Sequence, residues 1–263
     1  MSKARIIISA IVMMAIYVLS SCDTVNEEDR LIYVKPASVA RNVLIEDFTG
    51  QRCVNCPNAT DEIEHLQQFY GADTVIAVGI HSGPFAKTSR GVPYSLYTEE
   101  GDEYFNYWRV ESQPKGVIDR KGTSEYPTWS SLVREELSFT APVSLSATTE
   151  YTDETRELRV VVNSEGIDGN TTGNLQVWLI ENGIVDFQYM PDGSVNREYT
   201  HNHVFRRSVN GTWGTAYNIT EGQRRDDSFT CTLDEGWKPE NMAVVVFVYN
   251  NAGVQQVIQV PVK

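Results

Sequence analysis

Residues 43–69 read VLIEDFTGQRCVNCPNATDEIEHLQQF, and the succession of residue types along them decides the fold of everything nearby. Val43 to Phe48 is apolar and β-prone, which predicts a buried strand, and Thr49 with Gly50 ends it. Cys53 and Cys56 follow in C-x-x-C spacing, then Pro57. Beyond it Ala59, Ile63, Leu66 and Phe69 or Tyr70 recur along one face of an amphipathic helix. Pro57 suits a first helical turn, where its missing N–H costs little. The paired cysteines therefore stand where a helix begins, and free N–H groups and the positive end of the helix dipole favour a thiolate there. Cys53 is expected to be the more exposed, attacking sulfur and Cys56 the resolving one. Arg52 places a cation beside Cys53. Asp47, in the preceding strand, is placed as a buried proton acceptor with its pKa raised by desolvation.

Downstream, residues 75–80 (VIAVGI) form a second short apolar run, so strand, helix and strand make a βαβ unit with parallel pairing. A Gly/Ser/Pro-rich loop spans 81–93. Its Ser82 comes one place too late after Gly79 for a G-x-S-x-G elbow, which argues against a serine hydrolase. Residues 98–110 predict a helix burying Tyr104, Phe105 and Trp108, and its acidic first turn complements the helix dipole. Pro114 precedes a short strand at 116–118, and Trp129, Leu132, Val133 and Leu137 outline a last helix that closes an α/β domain near Phe139.

From Ala141 the pattern changes. Seven strands are expected, at 143–149, 158–163, 175–180, 204–209, 229–233, 242–249 and 254–262, with a hairpin turn at 250–253. They argue for an all-β antiparallel sandwich of immunoglobulin-like type with Trp178 in its core. Cys231 reads as a small buried hydrophobe. His201 and His203 alternate along an extended segment and face one way. A third ligand for a metal is not indicated, so packing at a sheet edge or the domain junction is expected for them, and a structural role for His81.

The N-terminus reads as an address. Lys3 and Arg5 precede an apolar run at 6–19, shorter than the ~20 residues a membrane helix needs, and Leu19-Ser20-Ser21-Cys22 ends it. Residues 1–21 are expected to be a lipoprotein signal peptide, with Cys22 carrying lipid as the membrane anchor and 22–40 a charged tether. A domain at 41–140 and another at 141–263 then follow. The chain carries a net charge of −13, which loss of Lys3 and Arg5 makes more negative, so nucleic acid is excluded as a partner. Export implies an oxidising compartment, where the C-x-x-C pair rests as a disulfide.

These residues carry two resemblances. The first domain resembles thioredoxin: Asp47-Phe48 stands ahead of Cys53, the C-x-x-C opens a helix, and Pro114 matches the cis-proline that faces the disulfide. It departs from that pattern at Val54-Asn55 between the cysteines, at Arg52 in place of tryptophan, and at Gln113 before the proline. Over nearly the full length, the chain is similar to the 28-kDa outer membrane protein family of bacterial lipoproteins. The similarity rests on the lipobox, on residues 42–57 and on H-N-H-V-F-R at 201–206. The family implies a lipid-anchored outer-membrane location, periplasmic or surface-exposed, a thioredoxin-like fold followed by an immunoglobulin-like one, and no cofactor. Three readings of function stay open: thiol–disulfide exchange through Cys53 and Cys56 on an extended peptide or protein thiol, with Pro114 shaping the groove; a non-catalytic binding or adhesion lipoprotein; and a metal site at the C-x-x-C with a histidine. The last lacks the second cysteine pair that zinc sites commonly use.

Overall fold

The computed structural model describes residues 34–263, so the leader, Cys22 and much of the expected tether lie outside the described residues. The tether expected to run to residue 40 ends earlier. Val39–Ala40 (β1) pairs antiparallel with Thr140–Ala141 (β6), fastening the start of the α/β region to its end.

Val43–Thr49 (β2) and Val75–His81 (β3) are buried at every position and pair in parallel, from Val43 opposite Val75 to Thr49 opposite His81. Continuous burial is what a parallel strand covered on both faces requires. Cys56–Tyr70 (α1) is the crossover between them and stops at Gly71, whose φ of 97° suits glycine. Successive side chains of β2 alternate. Val43 and Ile45 join Ala59, Ile63 and Leu66 of α1 in one core, whereas Leu44 and Phe48 enter another on the opposite face. The alternation sends Asp47 towards α1 and Glu46 away from it. At the end of α1 the packing residue is Tyr70, while Phe69 is 80% exposed.

Glu99–Tyr107 (α2) is shorter than expected and is capped by Thr98, whose hydroxyl accepts from Gly101 N at 3.0 Å. Lys115–Ile118 (β4) lies antiparallel to β2, and Thr123–Ser124 (β5) adds a short edge. Trp129–Glu136 (α3) lays Trp129 on β4 at Gly116, where a Cβ would stand 2.3 Å from the indole.

The β-rich part comprises Val143–Thr152 (β7), Glu157–Gly166 (β8), Asn170–Glu181 (β9), Ile184–Tyr189 (β10), Val195–His201 (β11), Val204–Ser208 (β12), Thr215–Thr220 (β13), Arg224–Thr232 (β14), Met242–Asn250 (β15) and Gly253–Pro261 (β16). Seven of these match expected strands; β10, β11 and β13 were not anticipated. The sandwich consists of the three-stranded sheet β14-β8-β7 packed on β9, β13 and β15, with Leu158, Val160, Val177, Leu179, Val244 and Val246 in its core.

The two regions share a sheet across residue 141. The second sheet of the sandwich does not belong to residues 141–263 alone. A single nine-stranded sheet runs β16-β15-β9-β12-β3-β2-β4-β5, with β13 also on β9. The join is β12 on β3, parallel, with Val204 opposite Gly79. One core mixes Leu44, Phe48 and Ile80 from the first region with Trp178, Phe205 and Phe247 from the second, and residues 36–263 form one compact unit. Its centre holds a buried ion pair. Arg120 Nε donates to Glu46 Oε1 at 3.1 Å, and the guanidinium lies 4.1 Å from the Tyr249 ring centre, 4.8 Å from Phe247 and 5.2 Å from Trp178. Burial raises the pKa of Glu46, and Arg120 opposes that rise. Arg120→Ala therefore leaves a carboxylate buried without its partner. Urea unfolding is expected to show a loss of about 3–5 kcal/mol for this variant, and a smaller loss for the double variant Glu46→Leu/Arg120→Met.

Candidate functional site at the C-x-x-C turn

The loop leaving β2 is set by its backbone. Cys53 N donates to Gly50 O at 2.9 Å and Arg52 N to Phe85 O at 3.0 Å. A Cβ at Gly50 would stand 2.5 Å from the Phe85 carbonyl carbon, so only glycine fits there. Cys56 opens α1 with Pro57 in its first turn, and Cys53 and Cys56 are joined as a disulfide. Arg52 turns towards the neighbouring loop, where its Nη1 donates to Lys87 O at 3.1 Å. Pro114 follows a cis peptide bond at the head of β4 and is buried. The register of β4 on β2, with Lys115 opposite Phe48, sets it at the end of the sheet from which the cysteine loop departs. Gln113 fixes that position, its Nε2 donating to Thr49 O at 2.7 Å and Ser82 O at 3.1 Å.

The expectation that Cys53 is the more exposed sulfur is corrected: each cysteine is 2% exposed. The cover is the β10–β11 hairpin, which the sequence reading missed. Tyr189 N donates to Gln51 O at 2.9 Å, and Gln188 Nε2 donates to Cys53 O at 2.8 Å. Gln51 and Gln188 are themselves buried. β11 is mostly polar and exposed, and in β10 the one fully buried residue is Gln188, so no buried hydrophobic face announces the strands.

Beneath the turn lies a cavity of about 40 Å³ whose walls include Asp47, Cys56, Thr60, His81, His201 and His203. The carboxylate that the sequence singled out thus shares a cavity with Cys56. Asp47 is buried, its Oδ1 has no hydrogen-bond partner, and burial pushes its pKa up to about 7. No cation offsets that burial, in contrast to Glu46 beside Arg120. The histidines are expected neutral near pH 7. Burial, with His201 second, holds His81 well below its ordinary range, burial brings His201 down to about 4, and His203 is lowered by burial. The His81 and His201 rings meet edge to face at 5.3 Å. His81 is buried with neither ring nitrogen partnered, so ring packing holds it. His201 ends β11, while His203 turns at a φ of 56° into β12. They converge on one cavity across that bend instead of alternating along a strand. Among the described residues no group of His, Cys, Asp or Glu is arranged to hold a metal. Cys231 is free and buried. A cavity walled by unpartnered polar atoms is suited to water and to passing protons.

Two fused layers of sheet and a disulfide at a strand–helix turn define the class: an α/β unit continued into a β-sandwich. A family model described as "Outer membrane protein Omp28" matches residues 101–263, and the chain belongs to that family. It is accordingly an outer membrane lipoprotein. Among the described residues no helix is long and apolar enough to cross a membrane. No curated protein matches. The structure of HBP35 of Porphyromonas gingivalis is similar over 86% of this chain and 76% of that one, at 16% identity and a TM-score of 0.67, which is a likeness of fold. A domain of the outer membrane lipoprotein Omp28 from Porphyromonas gingivalis is 28% identical over 47% of this chain and 89% of that one, with a TM-score of 0.35.

Asp47 generates a pH prediction. Its folded pKa lies above the unfolded value of about 3.9, so the folded state binds the extra proton, and stability falls as pH rises from about 4 to about 7. Asp47→Asn removes this contribution. Relative to wild type, the variant is expected to gain stability towards neutral pH at up to about 1.4 kcal/mol per pH unit across that window, read from urea unfolding at several pH values.

Proposed function

We propose that the chain is anchored through lipid on Cys22 and carries out thiol–disulfide exchange at Cys53 and Cys56, on a thioredoxin-like fold joined to an immunoglobulin-like one. The observation carrying this reading is the unpartnered Asp47 carboxylate in the cavity that Cys56 also lines. In the reduced form the Cys53 thiolate, favoured by the start of α1, attacks one sulfur of a substrate disulfide; the other leaves as a thiolate and takes a proton from solvent. Asp47 accepts the proton of the Cys56 thiol, and the Cys56 thiolate attacks Cys53 Sγ, expelling the second substrate sulfur. The substrate disulfide is reduced to a dithiol and the protein dithiol is oxidised to the disulfide. A carboxyl group titrating near pH 7 is matched to this duty. Arg52, its guanidinium held on Lys87 O, adds positive charge to the loop that carries Cys53, and Pro114 flanks the substrate chain, an extended peptide or protein segment.

A second reading, a binding or adhesion lipoprotein using the same fold as scaffold, is favoured by the burial of both sulfurs under β10–β11. The reduction potential separates the two. For exchange it is expected above about −300 mV in glutathione buffers, where structural disulfides are not found. In the reduced protein Cys53 is expected to alkylate faster than free cysteine at mildly acidic pH, with Cys231 protected. Asp47→Ala is expected to slow reduction of a disulfide substrate by about 10²-fold. A potential below that limit, together with equal slow labelling of all three thiols, would establish the scaffold reading instead.

A further inference from the structure

Away from the disulfide a groove of about 1310 Å³ lies between α2, β9 and the β15–β16 turn, and the site proposed above does not use it. Its walls are aromatic: Tyr107, Trp108, Trp213 and Tyr249. Tyr107 is 60% exposed, and its ring lies 4.5 Å from that of Trp213. The rings are held in place. Trp213 Nε1 donates to Glu103 Oε1 at 2.9 Å, Tyr249 Oη donates to Trp213 O at 2.7 Å, and Asn174 Nδ2 donates to Tyr249 Oη at 3.3 Å. Arg120 backs Tyr249 from inside the protein. A preformed aromatic surface of this kind loses little entropy when a ligand settles on it.

The polar part of the groove decides the ligand. Its charges are engaged or withdrawn: Arg120 Nε is paired with Glu46 while its Nη1 and Nη2, which lack hydrogen-bond partners, are buried, and the Glu103 carboxylate accepts from Trp213 and from Thr212 Oγ1 at 3.5 Å. No exposed cation in the lining can take a phosphate or carboxylate. What remains is uncharged: the amides of Asn106 and Asn251, which donate and accept, and the Oδ1 and second Nδ2 hydrogen of Asn174, while the Asn250 amide is used on Thr172, Ala252 and Gln255. An extended peptide finds no free ladder here: β13 pairs Thr172, Gly173 and Asn174 on one side of β9, and on the other β15 pairs Asn174, the Tyr249 carbonyl crowds Gly173 and Asn250 Nδ2 donates to Thr172 O at 3.1 Å. Aromatic faces bordered by neutral amides match a ring with a flat C–H face and a hydroxyl edge.

We propose that this groove binds a neutral carbohydrate, one pyranose ring stacked on Tyr107 and Trp213 with its hydroxyls on the asparagine amides. The site is independent of the cysteines. The test titrates the purified full chain with maltohexaose, cellohexaose and chitohexaose, beside an oligogalacturonate and a proline-rich peptide, using tryptophan fluorescence and calorimetry. At least one neutral hexaose is expected to saturate the protein, with affinity changing less than about twofold from about 50 to about 500 mM NaCl, as befits an uncharged ligand. Tyr107→Ala and Trp213→Ala are each expected to weaken it about tenfold or more, the loss of one stacked ring. Tyr107 is exposed, so its variant is expected to keep the wild-type melting temperature, and Cys53→Ser/Cys56→Ser is expected to keep the affinity. Absence of binding to every neutral hexaose, binding of the acidic sugar or the peptide alone, or sugar binding that survives Tyr107→Ala overturns the proposal. None of these results bears on the disulfide.

Discussion

One backbone contact carries the sheet of the first architecture on into the second. Gly79 N donates to His203 O at 2.8 Å, where β12 docks in parallel on the outer edge of β3. Without β12, Gly79 N would be left unpaired in the interior, which is costly where water is excluded. With it, the sheet continues to β16. His203 can offer its carbonyl because its φ of 56° swings the chain from β11 into β12, and Asn182 Oδ1 holds the bend by accepting from His203 N at 2.8 Å. The H-N-H-V-F segment is thus a splice between sheets, and its histidines enter the cavity under the cysteine turn as a result of that geometry.

The same splice explains the contrast between two buried acids on adjacent positions of β2. Glu46 faces the fused core and meets Arg120 among aromatic rings. Asp47 faces α1 and meets no cation. One is a structural ion pair, whose removal by halves leaves a stranded charge. The other stores its desolvation cost as a shifted pKa beside Cys56. The difference follows from the two-residue repeat of a strand and from which side each core lies on.

Much of this was legible in the sequence where burial is continuous or periodic. β2, α1 and β3 follow from uninterrupted apolar runs and one helix face, and the C-x-x-C turn and Asp47 follow from their place relative to those elements. The β10–β11 hairpin was not legible, because Gln188 and Tyr189 are held by hydrogen bonds to Gln51 and Cys53 and not by a hydrophobic stripe. The groove was not legible, because the grouping of Trp213 with Tyr107 and Tyr249 depends on elements remote in the chain. The fused sheet was invisible for a related reason. Each strand at the join has the pattern of an ordinary central strand, and nothing in a strand's own residues says which neighbour it will take.

The two-residue ladder between β1 and β6 has a mechanical meaning. A tug arriving along the chain towards Val39 runs into a clasp that ties residues 39–40 to 140–141. Immediately behind it Asn42 Nδ2 grips Val257 O at 2.9 Å and Arg41 grips Asp119 at 3.0 Å. Load is thereby shared among several strands at once and does not peel β2 away from the cysteine turn. Force entering at that end thus meets the ladder, Arg41 and Asn42 before it reaches β2.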